Sequence, residues 1–161
     1  MHLVEYQLLL LIIVANGAPI LGAALFKKAG AWPIDGGLKF IDGRPLLGNS
    51  KTWRGVLLAV TATTVMAVLL HLPSYIGVRV GFFAIAGDLL SSFIKRRLGL
   101  ASSSMAFGLD QIPEALLPLL VVKDYFDLTW FVIAEIVTGF IILELLLSRI
   151  LFYLKIRKRP Y

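Results

Sequence analysis

The chain of 161 residues is 58% hydrophobic and 16% charged, and its mean hydropathy is +0.85. Soluble domains are about 45–50% apolar and about 25% charged, so this composition excludes an ordinary soluble domain and indicates a membrane protein. The net charge of +6 does not indicate a nucleic-acid partner, because the basic residues cluster between apolar runs. The absence of cysteine excludes disulfides and thiolate sites.

Five apolar runs predict five transmembrane helices in one polytopic domain, residues 1–161. A membrane helix needs about 20 residues, so five spans with short loops use nearly the whole chain. The first run lacks the basic start and cleavage site of a signal peptide and is predicted to be retained. The fourth is short and opens near a proline, and the fifth is long enough to tilt. The predicted spans are residues 7–26, 55–72, 75–94, 110–122 and 128–154.

The positions of the basic residues orient these spans. The loop at 27–54, the loop at 95–109 and the C-terminal tail hold six, three and four of the sixteen Lys and Arg residues. By the positive-inside rule all three segments are cytoplasmic. The sequence therefore predicts an all-α integral membrane protein with its N-terminus outside and its C-terminus in the cytoplasm. The sequence has no visible internal repeat, which argues against a duplicated transporter.

Acidic residues inside apolar spans cost a few kcal/mol each and are therefore functional candidates. Asp88 precedes Lys95 by seven residues, which places it about 10 Å below the cytoplasmic end of its helix. Asp88, Ser92 and Lys95 fall on one helix face. This polar stripe predicts a site that is reached from the cytosol. The alternative is a neutralising pair of Asp88 with Lys95 or Arg79.

Asp110 and Glu114 stand at i and i+4 at the start of the fourth span, which stacks two carboxylates on one face. A lone acidic residue at this position would cap the helix and complement its dipole. Two stacked carboxylates repel each other, and a divalent cation shared with Asp88 relieves that repulsion. Oxygen ligands are those that Mg²⁺ prefers. The sequence thus predicts a Mg²⁺ site, with helix capping as the alternative.

Other polar residues in the spans are interpreted as structural. Glu135 and Glu144 are nine positions apart and point to opposite sides of the fifth span, so they cannot share one site. The segment Asn16-Gly17-Ala18-Pro19 is predicted to interrupt the first span, because Pro19 frees a backbone carbonyl. Such a kink serves packing as often as ligand binding.

The first cytoplasmic loop is rich in glycine and basic residues. Gly43 and Gly48 have the spacing of a phosphate-binding P-loop, but Asn49-Ser50 stands where Lys-Ser/Thr is required and no strand precedes the segment. The loop is therefore not a P-loop. Its basic residues, followed by the N-terminus of the second span, predict an anion site, with contact to anionic lipid head groups as the alternative. These basic residues are Arg44, Lys51 and Arg54.

Several blocks of the chain resemble a known enzyme family. The order Ser92-Phe93-Ile94-Lys95-Arg96, followed by Gly108-Leu109-Asp110-Gln111, resembles the pattern of membrane CTP:phosphatidate cytidylyltransferases. With Asn16-Gly17-Ala18-Pro19, Lys51-Thr52-Trp53-Arg54-Gly55 and the chain length, it resembles more closely the small five-helix CDP-archaeol synthases. The resemblance runs over about residues 14–120.

This resemblance implies an enzyme that takes CTP and a glycerol-phosphate lipid of the bilayer, with isoprenoid-ether or acyl chains, and makes a CDP-lipid and pyrophosphate. Mg²⁺ is the implied cofactor. Relatives commonly carry a second Asp three residues after the first in span four, where this chain has Pro113 followed by Glu114. The implied catalytic residues are Asp88, Lys95, Arg96 and Asp110; the substrate-binding residues are Asn16, Lys51, Thr52, Arg54, Ser92 and Gln111; the metal ligands are Asp88, Asp110 and Glu114.

The chemistry itself favours cationic groups. Attack of a lipid phosphate on the α-phosphorus of CTP brings anions together, so the catalyst needs positive charge and positioning more than a strong base. Lys95 and Arg96 would offset charge on the departing pyrophosphate. Lys51 and Arg54 would dock the lipid phosphate or the nucleotide.

Two other functions are compatible with a small polytopic chain. One is a CDP-alcohol phosphotransferase, but its Asp-Gly-x-x-Ala-Arg block is not present in this sequence. The other is an ion-coupled transporter that uses Asp88 and Glu135 as a relay. Because CTP is cytosolic, the enzyme interpretation predicts an active site on the cytoplasmic face of the cell (plasma) membrane. The sequence sets neither the lipid's ether or ester chemistry nor the oligomeric state.

Overall fold

The polypeptide forms helices joined by loops, with two isolated β-bridges in the first long loop. The computed structural model describes residues 3–27, 29–102 and 104–156. Each predicted span coincides with one helix, which confirms the prediction of an all-helical chain, and the ends differ by a few residues. The helices are α1 (Leu3–Phe26), α2 (Trp53–Leu69), α3 (Ser74–Arg97), α4 (Gln111–Val122) and α5 (Trp130–Tyr153).

The helices fall into two length classes. By length and composition, α1, α3 and α5 are long and apolar enough to cross a membrane, with 24 residues each. Such a helix is about 36 Å long, against a hydrocarbon core of about 30 Å. With 17 and 12 residues, α2 and α4 are shorter. The 12 residues of α4 extend only about 18 Å.

Helix α1 continues through Pro19, so the predicted interruption at residues 16–19 is wrong. The Asn16 side chain donates a hydrogen bond of 3.0 Å to the Ile12 carbonyl oxygen in the same helix. A β-carbon placed on Gly55 would lie 3.6 Å from Cβ of Pro19, so this part of α1 packs against the start of α2. A neighbouring helix supports a proline in this way, although the proline removes one backbone hydrogen bond.

Glycines on α3 bring its backbone close to both neighbouring helices. A β-carbon on Gly77 or Gly81 would lie 2.6 Å or 2.9 Å from an α-carbon of α2. On the other side, a β-carbon on Gly87 would lie 2.5 Å from the carbonyl carbon of Pro113 and 2.8 Å from the amide nitrogen of Glu114. Small residues permit such close helix packing inside a membrane. Helix α3 is therefore packed between α2 and α4 at backbone contact.

The contact at Gly87 fixes the level along α3 at which α4 begins. Gly87 lies ten residues before the end of α3 at Arg97, a distance of about 15 Å along the helix. Because α4 begins beside Gly87, residues 98–102 and 104–110 descend along α3 by about that distance before α4 starts. Irregular backbone at membrane depth is tolerated where protein surrounds it. The descending segment therefore lies beside the second half of α3.

The bundle has an apolar half and a polar half. Large buried apolar side chains come from the starts of α1, α3 and α5 and the end of α4, which meet at the end of the bundle away from the long loops. They include Leu8, Leu11, Ile12, Ile76, Val80, Leu119, Ile136 and Phe140. Buried polar side chains come from the end of α3 and the start of α4, beside the two long loops. They are Ser91, Ser92, Lys95, Arg96, Gln111 and Glu114.

Candidate active site

An ion pair joins the first long loop to the middle of the polar half. The Nζ atom of Lys51 donates to both carboxylate oxygens of Asp88, at 2.6 Å each. Lys51 lies just before α2 and Asp88 lies on α3, and their side chains are 20% and 21% exposed. Asp88 thus pairs with Lys51, which the sequence alternatives of Lys95 and Arg79 did not include. The pair is mostly buried yet within reach of solvent.

The charge on Lys51 is stabilised by several acidic groups. Burial disfavours the ammonium form, but the nearby carboxylates, that of Asp88 above all, together outweigh burial and raise the pKa of Lys51 above its ordinary value. The carboxylates of Glu114 and Asp110 act in the same direction. Three carboxylates from α3, α4 and the segment before α4 therefore act on one ammonium group, so these four residues form one electrostatic cluster.

A second ion pair lies nearer the end of α3. The Nζ atom of Lys95 is 2.6 Å from Oδ1 of Asp110 and donates a 3.0 Å hydrogen bond to the Ser104 carbonyl oxygen. The Ala106 amide donates to Oδ2 of Asp110 at 2.9 Å. The Asp110 side chain makes no capping hydrogen bond to α4, which excludes the capping interpretation for this residue. The pair instead holds the descending segment against α3.

Glu114 and Asp110 have different partners, although they stand one helical turn apart. Glu114 is buried on α4 at the Gly87 contact, and its carboxyl group interacts with that of Asp88. Glu144 of α5 also acts electrostatically on Glu114. Gln111 lies between Asp110 and Glu114 in the sequence, and its side-chain oxygen accepts a 2.8 Å hydrogen bond from the Gly108 amide. The predicted trio of metal ligands is thus arranged as an Asp88–Glu114 pair with Asp110 bound separately to a lysine.

The acidic residues do not form a complete protein cage for a metal. Within residues 3–27, 29–102 and 104–156, no group of three or more His, Cys, Asp or Glu side chains is placed to hold a metal ion. Two carboxyl groups, those of Asp88 and Glu114, face each other where α3 and α4 touch. Any metal bound at this point needs further ligands from water or substrate.

A cavity of about 340 Å³ opens between the two long loops. The guanidinium groups of Arg44 and Arg96 line it, and Arg96 donates a 2.9 Å hydrogen bond to the Ala101 carbonyl oxygen. Gly48 has a φ of 99°, and a β-carbon there would lie 3.0 Å from Oγ of Ser102, so this wall requires glycine. Two guanidinium groups beside exposed backbone suit a phosphate-bearing ligand. The remaining lining residues are Pro45, Asn49, Gly99 and Leu100.

Several predicted substrate-binding residues have structural partners. Arg54 donates hydrogen bonds to two backbone carbonyls at the end of α1, those of Lys27 (3.2 Å) and Ala29. The Thr52 hydroxyl accepts a hydrogen bond from the backbone amide of residue 55 and caps α2, and Ser92 is buried in α3. The predicted anion site of Arg44, Lys51 and Arg54 is therefore divided. Arg44 lines the cavity, Lys51 binds Asp88, and Arg54 supports α1.

Asp35 organises the first loop, a role that the sequence analysis did not assign. Its carboxylate accepts hydrogen bonds from the amides of Gly37 (3.0 Å), Leu47 (2.9 Å) and Gly48 (3.1 Å). Burial favours the protonated form, but these amide donors outweigh burial and lower the pKa of Asp35 below its ordinary value. The Asp-Gly-Gly triplet at residues 35–37 is typical of a turn in which the carboxylate binds following amides, and it is the signal in the sequence for this role.

Comparisons with known proteins agree with this architecture. The family model described as CarS-like: CDP-archaeol synthase matches residues 2–76 and 74–161. The CDP-archaeol synthase of Sulfurisphaera tokodaii is 39% identical over 157 residues, covering 92% of this chain and 90% of that protein. That of Pyrobaculum calidifontis is 41% identical over 130 residues, covering 76% and 77%.

A solved structure is also similar along most of its length. It is described as an intramembrane enzyme for archaeal membrane lipid biosynthesis, and the match has a TM-score of 0.75 at 31% identity. The match covers 88% of this chain and 90% of that one. The family match, the identities over most of the chain and the shared fold lead to one conclusion: this chain belongs to the CDP-archaeol synthase family.

Proposed function

We propose that this chain is the catalyst that transfers the cytidylyl group of CTP to the phosphate of an isoprenoid-ether glycerol lipid, at the cluster formed by Lys51, Asp88, Lys95 and Asp110. Family membership makes the chain a CTP-dependent cytidylyltransferase that acts on a lipid. The observation that carries the site assignment is the pair of lysine–aspartate contacts, each 2.6 Å long, beside the cavity lined by Arg44 and Arg96. The ether lipid follows the names of the archaeal relatives.

The cationic groups suit the reaction. A lipid phosphate oxygen forms a bond to the α-phosphorus of CTP while the bond from that phosphorus to the bridging oxygen of the β-phosphate breaks, which releases pyrophosphate. No proton has to be removed from the nucleophile, because a lipid phosphate is anionic at neutral pH. Arg44 and Arg96 bind the phosphates of the nucleotide in the cavity, and Lys95 stabilises negative charge as it develops on the leaving group. Lys51 receives the lipid phosphate beside Asp88.

The donor set fits Mg²⁺ as the cofactor. Mg²⁺ is usually bound by one or two carboxylates together with water and substrate phosphates, rather than by a complete protein cage. Asp88 and Glu114 supply such carboxylates, and Asp110 lies in the same electrostatic cluster. When bound, the ion supplies positive charge to the triphosphate. The residues that would hold it are Asp88, Asp110 and Glu114.

The site belongs on the cytoplasmic side of the cell membrane in this proposal. Segments 27–54 and 95–109, which include the two loops that build the cavity and the adjoining helix ends, carry nine of the sixteen basic residues, and the C-terminal tail carries four more. The positive-inside rule then gives an external N-terminus and five membrane passages, with α2 and α4 as the short ones. CTP reaches the cavity directly from the cytosol in this orientation.

The test is an assay of purified protein with labelled CTP, Mg²⁺ and a panel of lipid phosphates. We expect a CDP-lipid and an equal amount of pyrophosphate. Asp88→Asn and Asp110→Asn should each abolish turnover while the protein stays folded, and the double variant should lose little more, because residues that act as a unit are not additive. Glu135→Gln is the matched control, since this carboxylate is exposed on α5.

Two results would contradict the proposal. Near-normal turnover in either aspartate variant would remove that residue from the site. Absence of any CDP-lipid with every lipid phosphate tested would overturn the assigned reaction for this chain.

A further inference from the structure

A small hairpin in the first long loop docks on the end of α3. It consists of residues 38–46, and its two arms exchange the hydrogen bonds Leu46 N to Leu38 O and Phe40 N to Arg44 O, both 2.8 Å. An isolated β-bridge between residues 39 and 45 lies between them. A two-armed hairpin of this length is not stable alone in water. Its orientation therefore depends on what it contacts.

Arg97, the last residue of α3, holds this hairpin from several directions. Its guanidinium group donates to Oδ1 of Asp42 at 3.0 Å and to the Pro45 carbonyl oxygen at 2.5 Å. The same group lies over the rings of Phe40 and Phe93, with its central carbon 4.7 Å and 5.0 Å from the ring centroids. The two rings meet edge to face, 5.4 Å apart. A planar guanidinium can donate several hydrogen bonds in its plane while its face stacks on aromatic rings, whereas an ammonium group has no such plane.

Arg44 of the hairpin also contacts the end of α3. The Arg44 guanidinium donates to the Arg97 carbonyl oxygen and lies 3.5 Å from the Arg96 carbonyl oxygen at the end of α3. Arg44 and Arg96 are the two guanidinium groups that line the cavity. Docking of the hairpin therefore completes one cavity wall, because Arg44 reaches its position only when the hairpin lies on α3.

The docked hairpin is also tied to Lys51. The Asp35 carboxylate binds the amides of residues 37, 47 and 48, so it joins the two ends of the hairpin. The Ile34 amide then donates a 2.9 Å hydrogen bond to the Lys51 carbonyl oxygen. A chain of short contacts through the loop therefore connects Arg97 to Lys51, the residue that binds Asp88.

We propose that Arg97 is a positioning residue for cytidylyl transfer: it docks hairpin 38–46 on α3 and so sets Arg44 in the wall of the nucleotide cavity. This inference rests on the proposed function, since it takes the cavity as the site of the CTP phosphates. Arg97 itself touches the hairpin and Phe93. Its role is therefore exerted through Arg44, and it is separate from the roles of Lys95 and Arg96.

A positioning role predicts a particular kinetic pattern. If Arg97→Gln lowers the docked fraction of the hairpin to about one tenth, the apparent affinity for CTP falls by about 10-fold, because only docked molecules are competent to bind. Bound CTP restores docking, so kcat should stay within about twofold of the parent value. The KM of Arg97→Lys for CTP should lie between those of the parent and Arg97→Gln, since lysine keeps the charge and loses the planar group. Lys39→Gln is the control, because it removes the same charge from an exposed position of the same hairpin.

Docking can be measured without turnover. The chain has no cysteine, so two introduced cysteines can carry spin labels. Ile41→Cys labels the exposed hairpin tip and Val78→Cys labels an exposed position near the other end of α3. Residues 78 and 97 are about 28 Å apart along the helix, which suits double electron–electron resonance. We expect a narrow distance distribution in the parent and Lys39→Gln, a broad one in Arg97→Gln, and narrowing of the latter when CTP is added.

The outcomes separate this inference from the proposed function. A distribution that stays narrow in Arg97→Gln would overturn the docking role, whatever the activity. A broad distribution with an unchanged KM for CTP would overturn the link from docking to the cavity. A fall in kcat with an unchanged KM would also overturn it, since Arg97 would then act on the chemical step. Failure of the cytidylyltransferase assay, with a narrow distribution in the parent and a broad one in Arg97→Gln, would overturn the proposed function and its link to Arg97, and would leave only the docking of the hairpin by Arg97.

Discussion

Gly87 is the position at which one methyl group should do the most damage. In Gly87→Ala, the new β-carbon would lie 2.5 Å from the carbonyl carbon of Pro113 and 2.8 Å from the amide nitrogen of Glu114. Ordinary contacts begin near 3.4 Å, and the carbonyl oxygen of Pro113 would lie closer still, so α3 and α4 would have to separate by about 1 Å or more. All three obstructing atoms are backbone atoms, so no side chain can rotate away. The helices themselves must move.

The size of the effect follows from overpacking. Extra methyl groups in a packed interior cost about 1–3 kcal/mol, and a clash with backbone belongs at the upper end, about 3 kcal/mol. For a chain of this size, 1 kcal/mol corresponds to about 2–4 °C in Tm, so we expect Tm to fall by about 6–12 °C. Activity should fall as well, because the separation moves Glu114 and Asp110 away from Asp88.

The assay is thermal unfolding of the detergent-solubilised protein, with CDP-lipid synthesis as the second measurement. Gly139→Ala is the control, because its β-carbon would lie 3.5 Å from Leu9 Cδ2, an ordinary contact in a helix. Replacing a helical glycine with alanine there should stabilise the helix by about 0.8–1 kcal/mol. An unchanged Tm in Gly87→Ala, or an equal loss in Gly139→Ala, would refute the backbone contact between α3 and α4.

Three further predictions concern the loops and the orientation of the chain. Because its folded-state pKa is lowered, Asp35 should contribute stability above its ordinary pKa of 3.8 that is lost as pH falls through the lowered value. The Tm of Asp35→Asn should therefore be lower at neutral pH and should fall less on acidification than that of the parent. Arg54→Ala should cost about 1 kcal/mol of stability and leave the KM for CTP and the KM for lipid within twofold of the parent values. Lys51→Ala should raise the KM for lipid. Equal kinetic defects in the two variants would mean that Arg54 also binds substrate. A cysteine at Ser50 should react with a cytoplasm-confined thiol reagent and one at Ser74 only from outside, and the reverse pattern would contradict the proposed orientation.

The pattern of apolar runs was sufficient to predict the five helices, because each run has the length of one helix and is bounded by polar or turn-forming residues. Pro113, near the start of the fourth run, correctly marked the beginning of α4. Pro19 was misleading, since a neighbouring helix can support a proline inside a continuous helix. Local periodicity relates residues within one helix, so it predicted the shared face of Asp88, Ser92 and Lys95. It contains no information on which distant side chain completes each pair.

The partner of Asp88 illustrates this limit. Lys51 is 37 positions away in the chain. Arg54, three residues beyond Lys51, has the same charge and belongs to the same sequence block, yet it binds carbonyls at the end of α1. Charge and spacing alone could not separate these two roles. The difference arises from the direction in which the loop enters α2. That direction depends on contacts made by Asp35 within the loop and by Arg97, at the end of α3, with the loop.

The weak hydropathy of α3 is nevertheless a signal for these long-range contacts. Of the three helices long enough to cross a membrane, α3 is the least apolar, because its second half carries Asp88, Ser91, Ser92, Lys95 and Arg96. Such residues are costly in lipid unless polar partners accompany them. Too few partners are available within α3, so the loops must supply them at depth. Lys51 arrives from the first loop and Asp110 from the descending segment, and each forms an ion pair with a charged residue of α3.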